Sequence, residues 1–161
     1  MLLLEGSCHC SAARFSVRSH TPQPYMHCYC TICRKTAGGG GYAINIMGQA
    51  ETMQVAGGGL SVYQAHGTAS VSAGRSPARR HICQTCGSAL FIIDPRWPEW
   101  VYPFASAIDT ALPEPPERAH IMLADKAPWV RVPEGPEEVH FPGYPDEAIA
   151  DWHRRHGLYL G

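Results

Sequence analysis

Seven cysteines in three short clusters constrain this chain more than any other feature: Cys8-His9-Cys10, Cys28-Tyr29-Cys30-Thr31-Ile32-Cys33 and Cys83-Gln84-Thr85-Cys86-Gly87. A C-x-x-C turn lets two sulfurs reach one ion, and Gly87 is expected to relieve crowding where the chain turns back. A C-x-C pair chelates as well, because a locally bent backbone brings the i and i+2 sulfurs together. A thioredoxin-like reading of Cys83 to Cys86 would need a following helix, whereas Ala89 to Ile93 reads as a strand. Seven is odd, so the thiols cannot all pair with one another. Met1-Leu2-Leu3-Leu4-Glu5 is too short an apolar run for a signal peptide and has no basic leader. The expected location is therefore cytoplasmic, where thiols stay reduced, and no segment has the length to span a bilayer. Metal ligation is the expected use of these thiols, against the plain alternative of seven buried, inert cysteines.

Counting carries the argument further. Structural zinc is closed by four protein ligands, whereas catalytic zinc keeps a position open. Seven thiols divide as four plus three. Spacing does not say which clusters share an ion. The simplest division joins Cys8 and Cys10 to Cys83 and Cys86 and leaves Cys28, Cys30 and Cys33 as a local triple. The first site would then staple distant segments, and the second would have a free position. His27 adjoins the triple, and His9 and His81 lie near the other clusters. Any of them would close a Cys3His site, so spacing leaves open and closed evenly matched.

The rest of the chain frames these clusters. Its 161 residues fit one domain large enough for a core. With 13 Lys and Arg against 14 Asp and Glu, net charge gives no whole-surface attraction to nucleic acid or anionic membrane. Arg75, Arg79 and Arg80 form a basic cluster before the knuckle, a weak nucleic-acid signal. Sixteen Gly and 14 Pro fit many short strands joined by turns. Strands are expected at Ala13 to Arg18, which alternates apolar and polar residues, and at Tyr42 to Ile46, Leu60 to Tyr63, Ala89 to Ile93 and Ala119 to Leu123. The glycine runs 38–41 and 57–59 are expected to be turns, and the proline-rich stretch from Pro95 to Pro145 otherwise exposed loop. One helix is expected from about Asp146 to His156, with Ile149, Trp152 and His153 on one face and Gly157 capping its end. His153 and His156 read as packing or surface residues rather than ligands.

At this point the residues resemble the glutathione-dependent formaldehyde-activating enzyme (GFA) family. The likeness covers about the first 130 residues. It rests on Gly6-Ser7-Cys8-His9-Cys10 with Arg14-Phe15, on Cys28 to Cys33 with Arg34-Lys35 and Gly38, and on Arg80-His81-Ile82-Cys83-Gln84-Thr85-Cys86-Gly87-Ser88. Weaker echoes are Ile108-Asp109 and the run from His120-Ile121 to Ala127-Pro128-Trp129. Ser11 departs from the glycine usual in that family, and Ile82 from the usual phenylalanine. The resemblance implies a mainly β, Mss4-like or β-tent fold of short antiparallel sheets with zinc knuckles and a short C-terminal helix. Residues 1–135 would form the zinc domain, and 136–161 an extension packing on it. It also implies two zinc ions per chain: a structural one on Cys8, Cys10, Cys83 and Cys86, and a second with an exchangeable position on Cys28, Cys30 and Cys33. The activity implied is that of a carbon–sulfur lyase, the founding reaction being condensation of formaldehyde with glutathione to S-hydroxymethylglutathione.

The donor set points the same way on its own. Three thiolates on Zn²⁺ leave a formal charge of -1, a poor Lewis acid beside a three-histidine site. Such a centre suits a fourth thiolate from a substrate better than it suits hydrolysis. The expected partner is a small thiol such as glutathione, or its aldehyde adduct, with no membrane and no strong nucleic-acid signal. Arg34 and Lys35 adjoin the triple as candidates for the thiol substrate's carboxylates; solvated charges flanking a metal loop are the plainer alternative. The competing function is a zinc-stabilised binding module for a protein or nucleic-acid partner, without catalysis.

Overall fold

The computed structural model describes residues 1–66 and 74–161. In chain order the strands are β1 (Leu2–Ser7), β2 (Ala13–Ser19), β3 (Met26–Cys28), β4 (Ala43–Ile44), β5 (Gly48–Gln49), β6 (Gln54–Gly57), β7 (Leu60–His66), β8 (Arg75–Cys83), β9 (Ala89–Ile93), β10 (Trp100–Pro103), β11 (Arg118–Ile121) and β12 (Glu138–His140). Helix α1 (Thr31–Thr36) follows β3, and α2 (Ile149–Arg155) follows β12. The strands form three sheets, ordered β1-β2-β6, β5-β10-β9-β8-β7 and β12-β11-β3-β4. The fold is mainly β, as expected.

Alternation builds the first two sheets. In β2, Ala13, Phe15 and Val17 are buried while Arg14 and Arg18 face out, because successive side chains of a strand point to opposite faces. β1 pairs with it antiparallel, Leu4 opposite Val17 and Gly6 opposite Phe15. The N-terminal leucine run is thus a strand, which its three consecutive leucines disguised: Leu4 is buried and Leu3 exposed. Phe15 meets Phe91 of β9 edge to face at 5.8 Å between centroids, joining the first sheet to the second through the shared core.

The third sheet differs from the antiparallel expectation. β11 runs parallel to both β3 and β12, and only β3 with β4 is antiparallel. A parallel pair needs a long crossover, and the chain supplies one, since β11 returns beside β3 only after the whole five-stranded sheet has formed. The proline-rich region is also less of a loop than its composition suggests. β10 and β12 both lie in it, and Val101 of β10 is buried between β9 and β5. Each is too short for periodicity to register. The strand expected at Tyr42 to Ile46 shrinks to Ala43–Ile44. Within the glycine run the N–H of Gly41 donates to the carbonyl of Gly38 at 3.0 Å, and Gly41 takes φ +91, a value open to glycine but strained for other residues.

α2 forms inside the expected span. Trp152 stacks on Tyr25 with centroids 3.8 Å apart and donates its indole N–H to Glu117 at 2.8 Å. Gly157, at φ +69, ends the helix: its N–H donates to Arg154 and that of Leu158 to His153. His153 is fully buried, with Nδ1 bonded to the carbonyl of Ile149 and Nε2 accepting the N–H of Gln23. It is a packing residue, and the burial of its ring lowers its pKa.

Candidate metal centres

Two turns make the first centre. Cys8 and Cys10 lie in the β1–β2 turn, Cys83 ends β8 and Cys86 lies in the β8–β9 turn. The four sulfurs lie within 4.8 Å of one another, with Cys8 to Cys10 at 3.5 Å and Cys10 to Cys83 at 3.8 Å. Tetrahedral zinc with ~2.3 Å bonds spaces its sulfurs by ~3.8 Å, so the donor set and its spacing fit that ion. Backbone and hydroxyl groups orient the thiols: Ala13 N–H donates to Cys8 Sγ at 3.2 Å, and Ser88 Oγ lies 3.2 Å from Cys86 Sγ. Ser88 Oγ also accepts the N–H of His9, tying the two turns together. Gly87 adopts φ +76, and a side chain there would touch nothing. The reason for glycine is therefore the backbone angle, not the crowding anticipated from the sequence.

The thiols of this centre share their protons unequally. Ser88 first, then the backbone N–H groups of Cys10 and Ser88, hold Cys86 down to about 5. Cys10 is pushed up to about 12, since contact with Cys8 and Cys86 outweighs the help of the Ala12 backbone. Such a cluster ionises throughout only when a cation joins it.

The second centre is local. Cys28 ends β3, Cys30 precedes α1 and Cys33 lies in its first turn. Their sulfurs also lie within 4.8 Å of one another. The helix was not anticipated, since Thr31–Thr36 is too short to show a period. Its start is set by the cysteine loop itself: Cys30 Sγ accepts the N–H of Cys33 at 3.3 Å, capping the helix with a sulfur. Contact with Cys28 and Cys33 lowers the Cys30 thiol, while contact with its neighbours and burial raise Cys28. All three side chains are buried, at 5–6% exposure. No histidine joins either group among the described residues. His27 stacks on Tyr42 at 4.6 Å, and His81 on Phe91 at 4.5 Å. Burial, then the neighbouring His120 and Arg118, lowers His27 to about 4.

A buried polar chain backs the triple. Tyr29, between two of its cysteines, points its hydroxyl to His120 Nδ1 at 2.9 Å, and His120 Nε2 lies 2.7 Å from Glu138. A neutral ring satisfies both contacts, donating from Nε2 to the carboxylate and accepting the phenol O–H at Nδ1. Arg118 closes the chain with a 3.4 Å contact to Glu138. The parallel register sets this up, placing His120 opposite His27 on one side and His140 on the other. Nothing in the linear spacing pointed to Glu138, since the pairing that brings it close is a crossover product.

The cations sort differently from the sequence expectation. Lys35 is exposed and Arg34 half-buried on α1, with Arg34 Nε shielded and without a hydrogen-bond partner among the described residues. Arg79 and Arg80 point to opposite faces of β8, so the expected basic cluster is split. Arg80 is buried, and its charge reaches Cys33. Tyr144 stands near the triple. Its phenol is pushed up to about 12 by its packed surroundings and then by negative charge on Cys28, Cys30 and Cys33. The Tyr144 side chain is 72% exposed, so solvent screens that charge. A groove of about 560 Å³ runs beside the first centre, lined by residues including Cys8, Ser11, Thr36, Ser88 and Asp109, and a cavity of about 110 Å³ lies under α2. Neither is lined by a cysteine of the triple.

A Halomonas elongata protein with the provisional name glutathione-dependent formaldehyde-activating enzyme is 56% identical over 161 residues, 99% of this chain and all of that protein. A Rhodobacter sphaeroides protein of known crystal structure aligns at 24% identity and a TM-score of 0.49, over 68% of this chain and 91% of its own. The family profile described as glutathione-dependent formaldehyde-activating enzyme matches residues 3–124. With cysteines in that order converging on two centres, the chain belongs to the glutathione-dependent formaldehyde-activating enzyme family.

Proposed function

We propose that the protein is a zinc-dependent enzyme of carbon–sulfur lyase type, acting on the adduct of a small thiol such as glutathione with an aldehyde. In this reading Cys8, Cys10, Cys83 and Cys86 hold a structural zinc ion, and Cys28, Cys30 and Cys33 hold a second with one exchangeable position. The observation that carries it is the second centre's ligand count: three convergent sulfurs, with no histidine nitrogen of the described residues in the group. The family supports the thiol, as does the glutathione dependence in the name of the Halomonas relative. The setting we assign is cytoplasmic; among the described residues no helix is long and apolar enough to cross a membrane.

The chemistry follows from charge. Cys28, Cys30 and Cys33 would hold the zinc ion, and a metal bound by three thiolates would supply a position at which a thiol is kept deprotonated with its sulfur electron-rich. The chain's own groups set up that position. Cys33 N–H steadies the Cys30 sulfur, and the side chains of all three cysteines are buried. Overall, the thiol adds across the aldehyde carbonyl: a C–S bond forms, and the thiol proton ends on the former carbonyl oxygen. The reverse reaction breaks that C–S bond. Arg34 and Lys35, at the end of α1, are assigned to the carboxylates of a glutathione-like substrate.

The test is metal analysis with cobalt substitution. Two ions per chain and a cobalt spectrum that shifts on adding glutathione, but not S-methylglutathione, support the reading. One ion, or no response to any small thiol, overturns it. A second reading, a zinc-stabilised binding module, is favoured by one observation: the triple is nearly covered, and neither the groove nor the cavity opens on it. It requires that no thiol perturb the cobalt spectrum.

A further inference from the structure

We propose that the groove beside the four-cysteine centre holds the amino end of the thiol substrate, with the Asp109 carboxylate binding its ammonium group. The proposal rests on reading the protein as a thiol enzyme, and it names the part of the thiol that is selected. At about 560 Å³ the groove has the size of a small-molecule site. Its chemistry is one-sided. Ser7, Ser11, Thr36, Ser88 and Ser106 supply hydroxyls, and among the described residues Asp109 is its one carboxylate and no Lys or Arg lines it. Such a wall gives a substrate carboxylate no cation to meet and gives an ammonium group a full negative charge. Cys8 lines the same groove. A zinc ion held by four thiolates would carry a formal charge of -2 there, which favours a cation again.

The fold fixes Asp109 in place. Its N–H donates to the carbonyl of Glu5 at 2.8 Å, and that of Thr110 to the same oxygen at 3.2 Å. Thr110 Oγ1 accepts the N–H of Glu5 at 2.8 Å, and Gly6 bridges to Ile108. Strand β1 thus pins both neighbours of a residue that is exposed and whose carboxylate has no partner among the described residues. Asp94, Glu117, Glu138 and Glu147 each hold an arginine instead. A carboxylate held by its backbone and free at its oxygens takes up a ligand without first breaking a contact. Helix α1 links the groove to the three-cysteine centre. Thr36 and Ala37 form one wall, and the N–H of Ala37 donates to the carbonyl of Cys33 at 3.0 Å, one helical turn or about 6 Å away along the axis. In a tripeptide thiol the ammonium lies roughly two residue lengths, about 7 Å, from the sulfur-bearing residue. A ligand of that length reaches from the groove towards the turn that carries Cys33. Arg34 and Lys35, on the same helix, are left for its carboxylates.

The test pairs a change in the protein with a change in the ligand. S-Methylglutathione keeps the amino end but has no free thiol for a metal, so its binding reads the groove alone. It is titrated into the isotopically labelled, metal-loaded protein and followed through amide NMR signals, beside its N-acetylated form, which lacks the ammonium. In the unaltered protein the shifts should centre on Thr36, Ala37, Ser88, Ser106 and Asp109. Acetylation should weaken binding about tenfold, in the range of a hydrogen bond to a charged group. Asp109→Asn should bind the unmodified ligand about as weakly as the acetylated one, and acetylation should then cost nothing further. Asp109→Glu, which keeps the charge, should restore most of the discrimination. An equal acetylation penalty in the unaltered protein and in Asp109→Asn overturns the proposal. So does an absence of binding, or a set of shifts that leaves the groove untouched. If the discrimination appears but glutathione leaves the cobalt spectrum unchanged, the groove assignment holds and the metal reading fails. The reverse pattern keeps the metal reading and removes Asp109.

Discussion

The two cysteine centres are built in opposite ways. The first joins turns 73 residues apart at Cys10 and Cys83, and two of its ligands, Cys10 and Cys86, are exposed. The second spans six consecutive residues, Cys28 to Cys33, and all its ligands are buried. A long-range site with exposed ligands derives its worth from the loop it closes. A local site closes almost nothing, so its burial calls for another account. Beside it in sequence, Tyr29 begins a buried polar chain that runs through His120 to Glu138. The contrast is the one the proposed function needs, with stability carried by the first centre and reactivity by the second.

The largest effect should come from breaking the first centre. Cys83→Ser removes one of four ligands from the clasp between the β1–β2 and β8–β9 turns. Metal binding to such a site is folding free energy, comparable with the whole stability of a domain, about 5–15 kcal/mol. Far-UV circular dichroism should show no cooperative melt, and metal content should fall towards zero. Cys30→Ser should instead keep a cooperative melt and retain one zinc. If the two variants melt alike, the contrast between the centres is wrong.

A smaller effect is expected at the polar chain behind the triple. Contact with His120, then Arg118, holds the Glu138 carboxyl below its ordinary value of 4.5. An unfolded chain therefore takes up this proton first as pH falls. The contribution is present above the ordinary value and is lost as pH falls through the lowered one. Glu138→Gln should cost about 2 kcal/mol at pH 7, in the range for hydrogen bonds to charged groups. The difference from the unaltered protein should shrink as the pH is taken below 4.5. Urea unfolding at pH 7 and pH 4 measures both; a pH-independent difference would remove the carboxylate from the argument. His120→Phe, which strands the Tyr29 hydroxyl, should shift the cobalt spectrum of the second centre while leaving that of the first unchanged.

What could be read beforehand follows the same divide. The cysteine spacing marked the three clusters, because chelation by one turn is a local property, but it did not say which clusters join; counting seven thiols as four plus three did that. β2 and β9 were visible because each presents at least five residues of one pattern. α2 was legible from its apolar face and terminal glycine. By contrast β10, β12 and α1 are three to six residues long, too short for a period to emerge. Glu138 and His120 come together only through the parallel crossover, which no local pattern announces. Arg80 was grouped with Arg79 because they adjoin in sequence, yet alternation sends one outward and the other into the core.

The smallest predicted effect separates the centres once more. Among the described residues, two other than glycine have left-handed backbone angles: Ser11 at φ +61 and Met122 at φ +59. Ser11 closes the Cys8–Cys10 turn, its N–H donating to the carbonyl of Cys8 at 2.9 Å, and it is exposed. Met122 follows the residue paired with Cys28 and is buried. Glycine at position 11 would remove the steric cost of the left-handed angle and lose no packing. Part of that gain is offset by greater freedom in the unfolded chain. Ser11→Gly should therefore raise stability by about 0.5 kcal/mol, or ~1–2 °C in melting temperature. Met122→Gly relieves the same angle but empties a core position, so its sign should be opposite. A destabilised Ser11→Gly would mean that the serine side chain, not the backbone angle, governs the turn of the first centre.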